Sequence, residues 1–347
     1  MERFVVGTGR CGSTLLSRML DVAPGTLSVS EFFNGLDVTA RFDPQPISGA
    51  ALLELIAREQ PFVTAVLRRG YSVEEITYPF ADQPGSRESR GRRREHDPLP
   101  WILVSMLPRL SAEPDALFEK LCTFARTLPE QPPRDHYLDL FAWLCEQLGQ
   151  CRWIERSGSS IEYAPDLVRL YPEARFVHLH RAGPEVALSM REHHAYRLPI
   201  SLLYDAPLAS GLRVSESAPL DLAATPDPDD TVSQILASRP PAEYFGRYWS
   251  DQLLRGKPAL DALPRGRVLE IAFEELVRRP GPVMREIAEF FELDRGDDHP
   301  EWIEGAAALV RGVPPLRAPK LDTGERERLQ EACQPGAGLM DSPGEPS

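Results

Sequence analysis

The sequence predicts an α/β fold, a central parallel sheet flanked by helices, and three observations carry that expectation. Phe4-Val5-Val6 reads as a short strand that enters a glycine turn, Gly7-Thr8-Gly9-Arg10-Cys11-Gly12, and leaves it as a helix with Leu15, Leu16, Met19 and Leu20 at helical spacing. From Cys151 onward, apolar strand-like runs alternate with helical segments, the pattern of parallel strands joined by right-handed crossovers. At 347 residues the chain is long enough for one large domain with insertions.

After the first helix ends near Pro24-Gly25, Leu27 to Ser30 reads as an extended segment that delivers Glu31 and Phe32-Phe33 to a strand end. Helical spacing returns in Ala50 to Arg58 and Phe62 to Leu67. Asp82 to Pro98 carries five arginines and no apolar periodicity. It is expected to be a mobile loop, either a solvated surface or an electrostatic guide for an anionic acceptor. Trp101 to Leu110, Pro114 to Leu128 and Asp135 to Leu148 read as an inserted set of helices.

Cys151 to Glu155 and Arg175 to His180 read as strands, the second ending abruptly in Arg181, with helices at Tyr163 to Leu170 and Gly183 to His194. Leu198 to Pro241, rich in Pro, Asp, Ala and Ser, reads as a disordered or lid-like excursion. A helix from about Ala242 to Leu263, a strand from Arg267 to Phe273 and a helix from Pro282 to Phe291 follow. The organisation expected is one domain over 1–334, with insertions at about 36–149 and 198–241 that hold an acceptor, and a disordered tail over 335–347.

A net charge of −13 disfavours nucleic acid as a partner, because duplex binding needs a broad basic surface. Five cysteines form no C-x-x-C pair and make a poor disulfide framework, so a reducing, cytoplasmic setting is expected. The first strand starts too early to leave room for a signal peptide, and no apolar run approaches the roughly 18 residues of a membrane span. Oligomeric state is left open.

Chemistry concentrates in two stretches. Gly7, Gly12 and Thr14 keep the frame of the phosphate loop G-x-x-x-x-G-K-[ST], but Ser13 replaces the lysine that reaches the β- and γ-phosphates. A cation is available three residues earlier, at Arg10. Farther on, Arg181 ends a strand and Ser189 lies eight residues later, two turns into the next helix.

A basic residue inside the loop followed by Gly-Ser-Thr is similar to the phosphosulfate loop of sulfotransferases that use 3′-phosphoadenosine 5′-phosphosulfate (PAPS). The Arg181 to Ser189 spacing resembles that family's 3′-phosphate site. Val268 to Val277 resembles its late strand, with Phe273 in place of a tyrosine. Trp153 to Ser160 looks like the segment before the 3′-phosphate strand, where Glu155-Arg156-Ser157-Gly158 departs from the commoner Lys-Thr-Pro. The match covers roughly 3–35, 150–195 and 240–325, and its spacing is closest to the bacterial and tyrosylprotein-type branch.

The resemblance implies a P-loop-like sulfotransferase fold with helical and loop insertions. It implies a PAPS-dependent enzyme that acts on a hydroxyl of a small or medium organic acceptor, with no metal. The backbone from Cys11 and Gly12 to Leu15, the hydroxyls of Ser13 and Thr14, and Arg10 would hold the 5′-phosphate. Arg181 and Ser189 would hold the 3′-phosphate, with His193, Phe273 and Lys320 closing around the nucleotide. Arg10 would stabilise the leaving phosphate and Glu31 would be the base, with His96 and His136 as rivals.

The apolar acceptor walls are expected from Phe62, Tyr71, Tyr78, Phe80, Trp101, Met106 and Leu107. Cys11, at a helix N-terminus beside Arg10, is expected to have a lowered thiol pKa and to be shielded from alkylation by bound nucleotide. His178 and His180 share one side of a strand without a third metal ligand, so core roles are expected. Two other functions fit the loop: a catalytically silent nucleotide-binding protein, and a kinase-like phosphotransferase with a degenerate loop.

Overall fold

The computed structural model describes residues 1–81, 91–95, 97–293 and 299–341. Five strands, β1 (Arg3–Val6), β2 (Thr26–Ser30), β3 (Arg152–Arg156), β4 (Arg175–His180) and β5 (Val268–Ala272), form one all-parallel sheet in the order β2-β3-β1-β4-β5. β1 lies at the centre, its Val5 level with Arg156 on one side and with Val177 on the other.

Both faces of such a sheet are covered, and the alternation of side chains along each strand sorts them between two cores. Phe4, Val6, Leu27, Val29 and Phe176 enter the larger core, where the ring of Phe4 stacks on Phe176 at 5.5 Å and meets Trp153 edge-on at 5.8 Å. Val5, Ile154, Val177, Leu179 and Ile271 enter the other, together with Cys11 and Leu16 and with Val283, Ile287 and Phe291 from the helix Pro280–Phe291. Connections from β1 and from β4 lead to opposite edges of the sheet, so a crevice opens beyond their carboxyl ends.

Three expectations need correction. The stretch 198–241 is built in, not free: the helices His194–Leu203 and Thr231–Ala237 bury Leu198, Val232, Ile235 and Leu236, and Arg69 binds Asp230 at 2.9 Å. Its polar composition hid a few apolar anchors that suffice to dock it. The tail expected to be disordered from 335 is helical to residue 341, within Thr323–Asp341, and a helix His299–Ala308 was not foreseen. The last strand stops at Ala272, and Phe273 opens the helix Phe273–Arg278. Much of the arginine-rich segment, including Arg87 and Arg90, lies outside the described residues, as does His96. Among the described residues, no helix is long and apolar enough to cross a membrane.

Candidate active site

The turn after β1 is shaped by its glycines. Gly9 has φ +73° and Gly12 φ +97°, and a Cβ at either would lie about 2 Å from the Tyr196 hydroxyl or the Phe273 ring (2.0 and 2.2 Å). Between them Arg10 adopts φ +50°, and Glu31, after β2, adopts φ +61°. Both residues singled out as catalytic therefore sit in the left-handed region that side chains resist, a strain that marks functional sites.

The helix Ser13–Leu20 makes its first backbone bond from Leu16 N–H to Gly12 C=O at 3.1 Å, so the N–H groups of Ser13, Thr14 and Leu15 precede it without an intrahelical partner. Arg10 Nε donates to Ser189 Oγ at 3.2 Å, joining the loop to the helix Gly183–Arg191. Its Nη1 lies 2.9 Å from Glu74 and 3.7 Å from Glu75. Glu75 in turn lies 3.1 Å from His193 Nε2. Burial pushes the Glu75 carboxyl up, but His193 and Arg10 outweigh it and hold the group below the usual carboxylate range.

Arg181, at the end of β4, places its guanidinium 4.7 Å from the centre of the Phe273 ring and 4.0 Å from Glu185. Its Nε is buried without an acceptor. Glu185 accepts the backbone N–H groups of Arg317 at 2.9 Å and Ala318 at 3.0 Å, which brings the C-terminal segment to the same place.

Glu31 is 3% exposed. Its Oε1 pairs with Arg156, the Gly158 N–H reaches Oε1 and Oε2 at 3.1 and 3.2 Å, and Asn34 Nδ2 donates to Oε2 at 2.7 Å. Its carbonyl accepts from Trp101 Nε1 at 3.0 Å, a residue placed by the π-turn Ile102–Met106. A carboxylate offers about four acceptor positions, and these contacts, two at each oxygen with the Gly158 N–H shared between them, fix its orientation.

These groups line one cavity of about 490 Å³ at the carboxyl edge of the sheet. Arg10, Gly12, Ser13, Thr14, Glu31, Arg181, Ser189 and His193 are among its walls, so the two stretches distant in sequence meet. Phe273 lies behind Arg181 and Gly12 instead of on the cavity wall, and Leu15 packs partly on the second core.

Cys11 is fully buried in that core, and burial pushes its thiol up, the opposite of the expected shift. The alkylation expectation falls with it. Lys320 is exposed and away from the cavity, and Arg317, three residues earlier, reaches it instead.

Of the expected acceptor walls, Phe62 and Trp101 line the cavity, while Tyr78, Phe80, Met106 and Leu107 are buried in the core. Tyr71 is partly buried against His194, their rings 4.3 Å apart. His136 is also buried, its ring between the Ile47 carbonyl and Gln131. His178 is bonded to Glu270 at 2.6 Å. Arg156, Asn34, Glu75, Tyr196 and Arg317 were not singled out. Only Arg156 left a signal, as the basic residue in the segment that departs from Lys-Thr-Pro.

A parallel sheet whose first strand feeds a glycine loop, met by an arginine and a serine from the crossover after β4, defines a P-loop-like fold. The model of the sulfotransferase family matches residues 3–205, more than half of the chain, and the chain belongs to that family. A search of curated proteins found no match. Among solved structures, the chain is similar to the sulfotransferase domain from the curacin biosynthetic pathway (13% identity, 96% of this chain and 97% of that one, TM-score 0.43). It is also similar to sulfotransferase STF9 from Mycobacterium avium (17% identity, 99% and 77%, TM-score 0.46). A third similar structure is the sulfotransferase domain of the Synechococcus PCC 7002 olefin synthase (17% identity, 99% and 95%, TM-score 0.42).

Proposed function

We propose that this sulfotransferase uses PAPS and transfers its sulfuryl group to a hydroxyl of a small or medium organic acceptor, with Glu31 as base. The observation that carries the reading is that Glu31 opens onto the same cavity as Arg10, Ser189 and Arg181. The orphaned Nε of Arg181 and the N–H groups of Thr14 and Leu15, which have no intrahelical partner, fit a ligand with two separate anionic groups.

PAPS supplies an activated sulfuryl on a 5′-phosphate leaving group. The residues of the chain do the rest. Arg181 and Ser189 would anchor the 3′-phosphate, and Ser13, Thr14 and the helix N-terminus would orient the 5′-phosphate. Arg10 would stabilise the charge that grows on the leaving oxygen. Glu31 takes the acceptor proton, its orientation fixed by Arg156, Gly158 and Asn34. No divalent ion enters this scheme.

Incubation with sulfur-labelled PAPS and an acceptor panel of phenols, sterols, lipids, sugars and polyketide-like alcohols tests the reading. Transfer is expected in the presence of a chelator, with Glu31→Gln lowering it by about 10²- to 10⁴-fold while binding of adenosine 3′,5′-bisphosphate persists. Arg181→Ala is expected to abolish thermal stabilisation by that nucleotide. Stabilisation by ATP and magnesium in preference to adenosine 3′,5′-bisphosphate would sink the proposal. Full transfer by Glu31→Gln would remove Glu31 from its role.

A further inference from the structure

The cavity wall carries another cation, Arg41, which the scheme above does not use. Its guanidinium carbon lies 4.3 Å from the centre of the Tyr163 ring and 5.1 Å from that of Phe42, and Nη1 donates to the Phe33 carbonyl at 3.2 Å. Nε is buried without an acceptor, and no carboxylate among the described residues is within ion-pair distance. Two other cavity arginines are supplied: Arg156 has Glu31, and Arg10 has Glu74 and Glu75. A charged donor held this way without an anion is a cost that a bound oxyanion removes.

Its position relative to the base gives that anion a meaning. Tyr163 donates to Asn34 Oδ1 at 3.4 Å, and Asn34 donates to Glu31 at 2.7 Å, so Arg41 stands one side-chain layer beyond the carboxylate. Phe62, Val63 and Trp101 line the same cavity. Glu31 and Arg41 thus share one cavity with these apolar side chains.

We propose that Arg41 is an acceptor-recognition residue and that the natural acceptor is a hydroxylated compound bearing an oxyanion, a carboxylate or a phosphate monoester. This rests on the sulfuryl-transfer reading, and the experiment separates the two. Wild-type protein is first titrated with adenosine 3′,5′-bisphosphate. Absence of binding overturns the functional reading, and the acceptor assignment with it.

On nucleotide-saturated protein, calorimetric titration compares 4-hydroxybenzoate and 3-hydroxydecanoate with their methyl esters, and glycerol 3-phosphate with glycerol. At least one charged probe is expected to bind tenfold or more tightly than its neutral counterpart, and which one distinguishes carboxylate from phosphate. Arg41→Gln is expected to erase the preference and Arg41→Lys to keep part of it, both with nucleotide affinity unchanged. Arg41→Met, which keeps an apolar stem against Tyr163, serves if Arg41→Gln loses nucleotide binding. A wild type that prefers no charged probe, or a preference that survives Arg41→Gln or Arg41→Met, overturns the assignment.

Discussion

Glu155 stands beside the base but does different work. It is fully buried, and one oxygen accepts from Ser157 Oγ at 2.6 Å while the other has no partner. Burial first, and then the charge of Glu31, pushes its carboxyl up to about 8. Two carboxyls thus share the neighbourhood of a single cation, Arg156, and the proton on Glu155 leaves that cation to Glu31. The sign of the resulting pH dependence follows from proton counting.

Between an ordinary carboxyl pKa of about 4.3 and about 8, the folded chain keeps a proton that the unfolded chain releases. Stability therefore falls as pH rises through that window, by up to about 1.4 kcal/mol per pH unit from this group, and levels off above it. Glu155→Gln is expected to flatten the decline between pH 5 and 8 and to unfold at a higher temperature than wild type at pH 8. Parallel melting-temperature profiles for the two proteins would show that Glu155 is not the titrating group. Glu31 was legible from sequence because it ends a strand near the loop. Glu155 and Arg156 were not, because their roles depend on β3 lying between β1 and β2, a pairing that local periodicity does not encode.

At the level of elements, the loop after β1 and the helix after β4 were readable because each carries its own glycine, turn and apolar spacing. The irregular segment that brings Glu74 and Glu75 to Arg10 was not, since it is held by distant bonds such as Thr77 N–H to the Val104 carbonyl at 3.1 Å. Those carboxylates occupy the cation that the proposed nucleotide needs, so they compete with it. Glu74 is largely exposed, and an exposed ion pair is worth about 0.2–1 kcal/mol. Glu74→Gln is accordingly expected to tighten adenosine 3′,5′-bisphosphate binding by up to about fivefold at low salt, with a smaller gain at high salt. Titration at two ionic strengths checks this. A loss of affinity would mean that Glu74 positions Arg10 instead of competing for it.

Over the whole molecule, the cavity depends on a helix that composition concealed. Thr323–Asp341 contains Pro335, Gly336 and Gly338, which read as a loose tail. The helix survives because Ser250 Oγ donates to the Ala332 carbonyl at 2.8 Å and accepts the Gly336 N–H at 3.3 Å, bridging a pair that would otherwise bond directly across one turn. Leu329 and Cys333 on this helix are buried in the larger core beside Gly246, where a Cβ would lie 2.9 Å from Leu329 and 3.0 Å from Cys333.

Shortly before this helix comes the segment that Glu185 clamps and that presents Arg317 to the cavity. Packing of the helix and placement of Arg317 are thereby coupled. Leu329→Ala is expected to cost about 2–5 kcal/mol of stability and, although Leu329 does not line the cavity, to weaken adenosine 3′,5′-bisphosphate binding to the folded protein by displacing Arg317. Leu121→Ala, an equally buried truncation in the helix Pro114–Thr127, should match the stability loss and leave affinity unchanged. Denaturant melts paired with nucleotide titrations on both variants decide the matter. Equal affinities would show that the Glu185 clamp alone holds Arg317 in place, without help from the helix that follows.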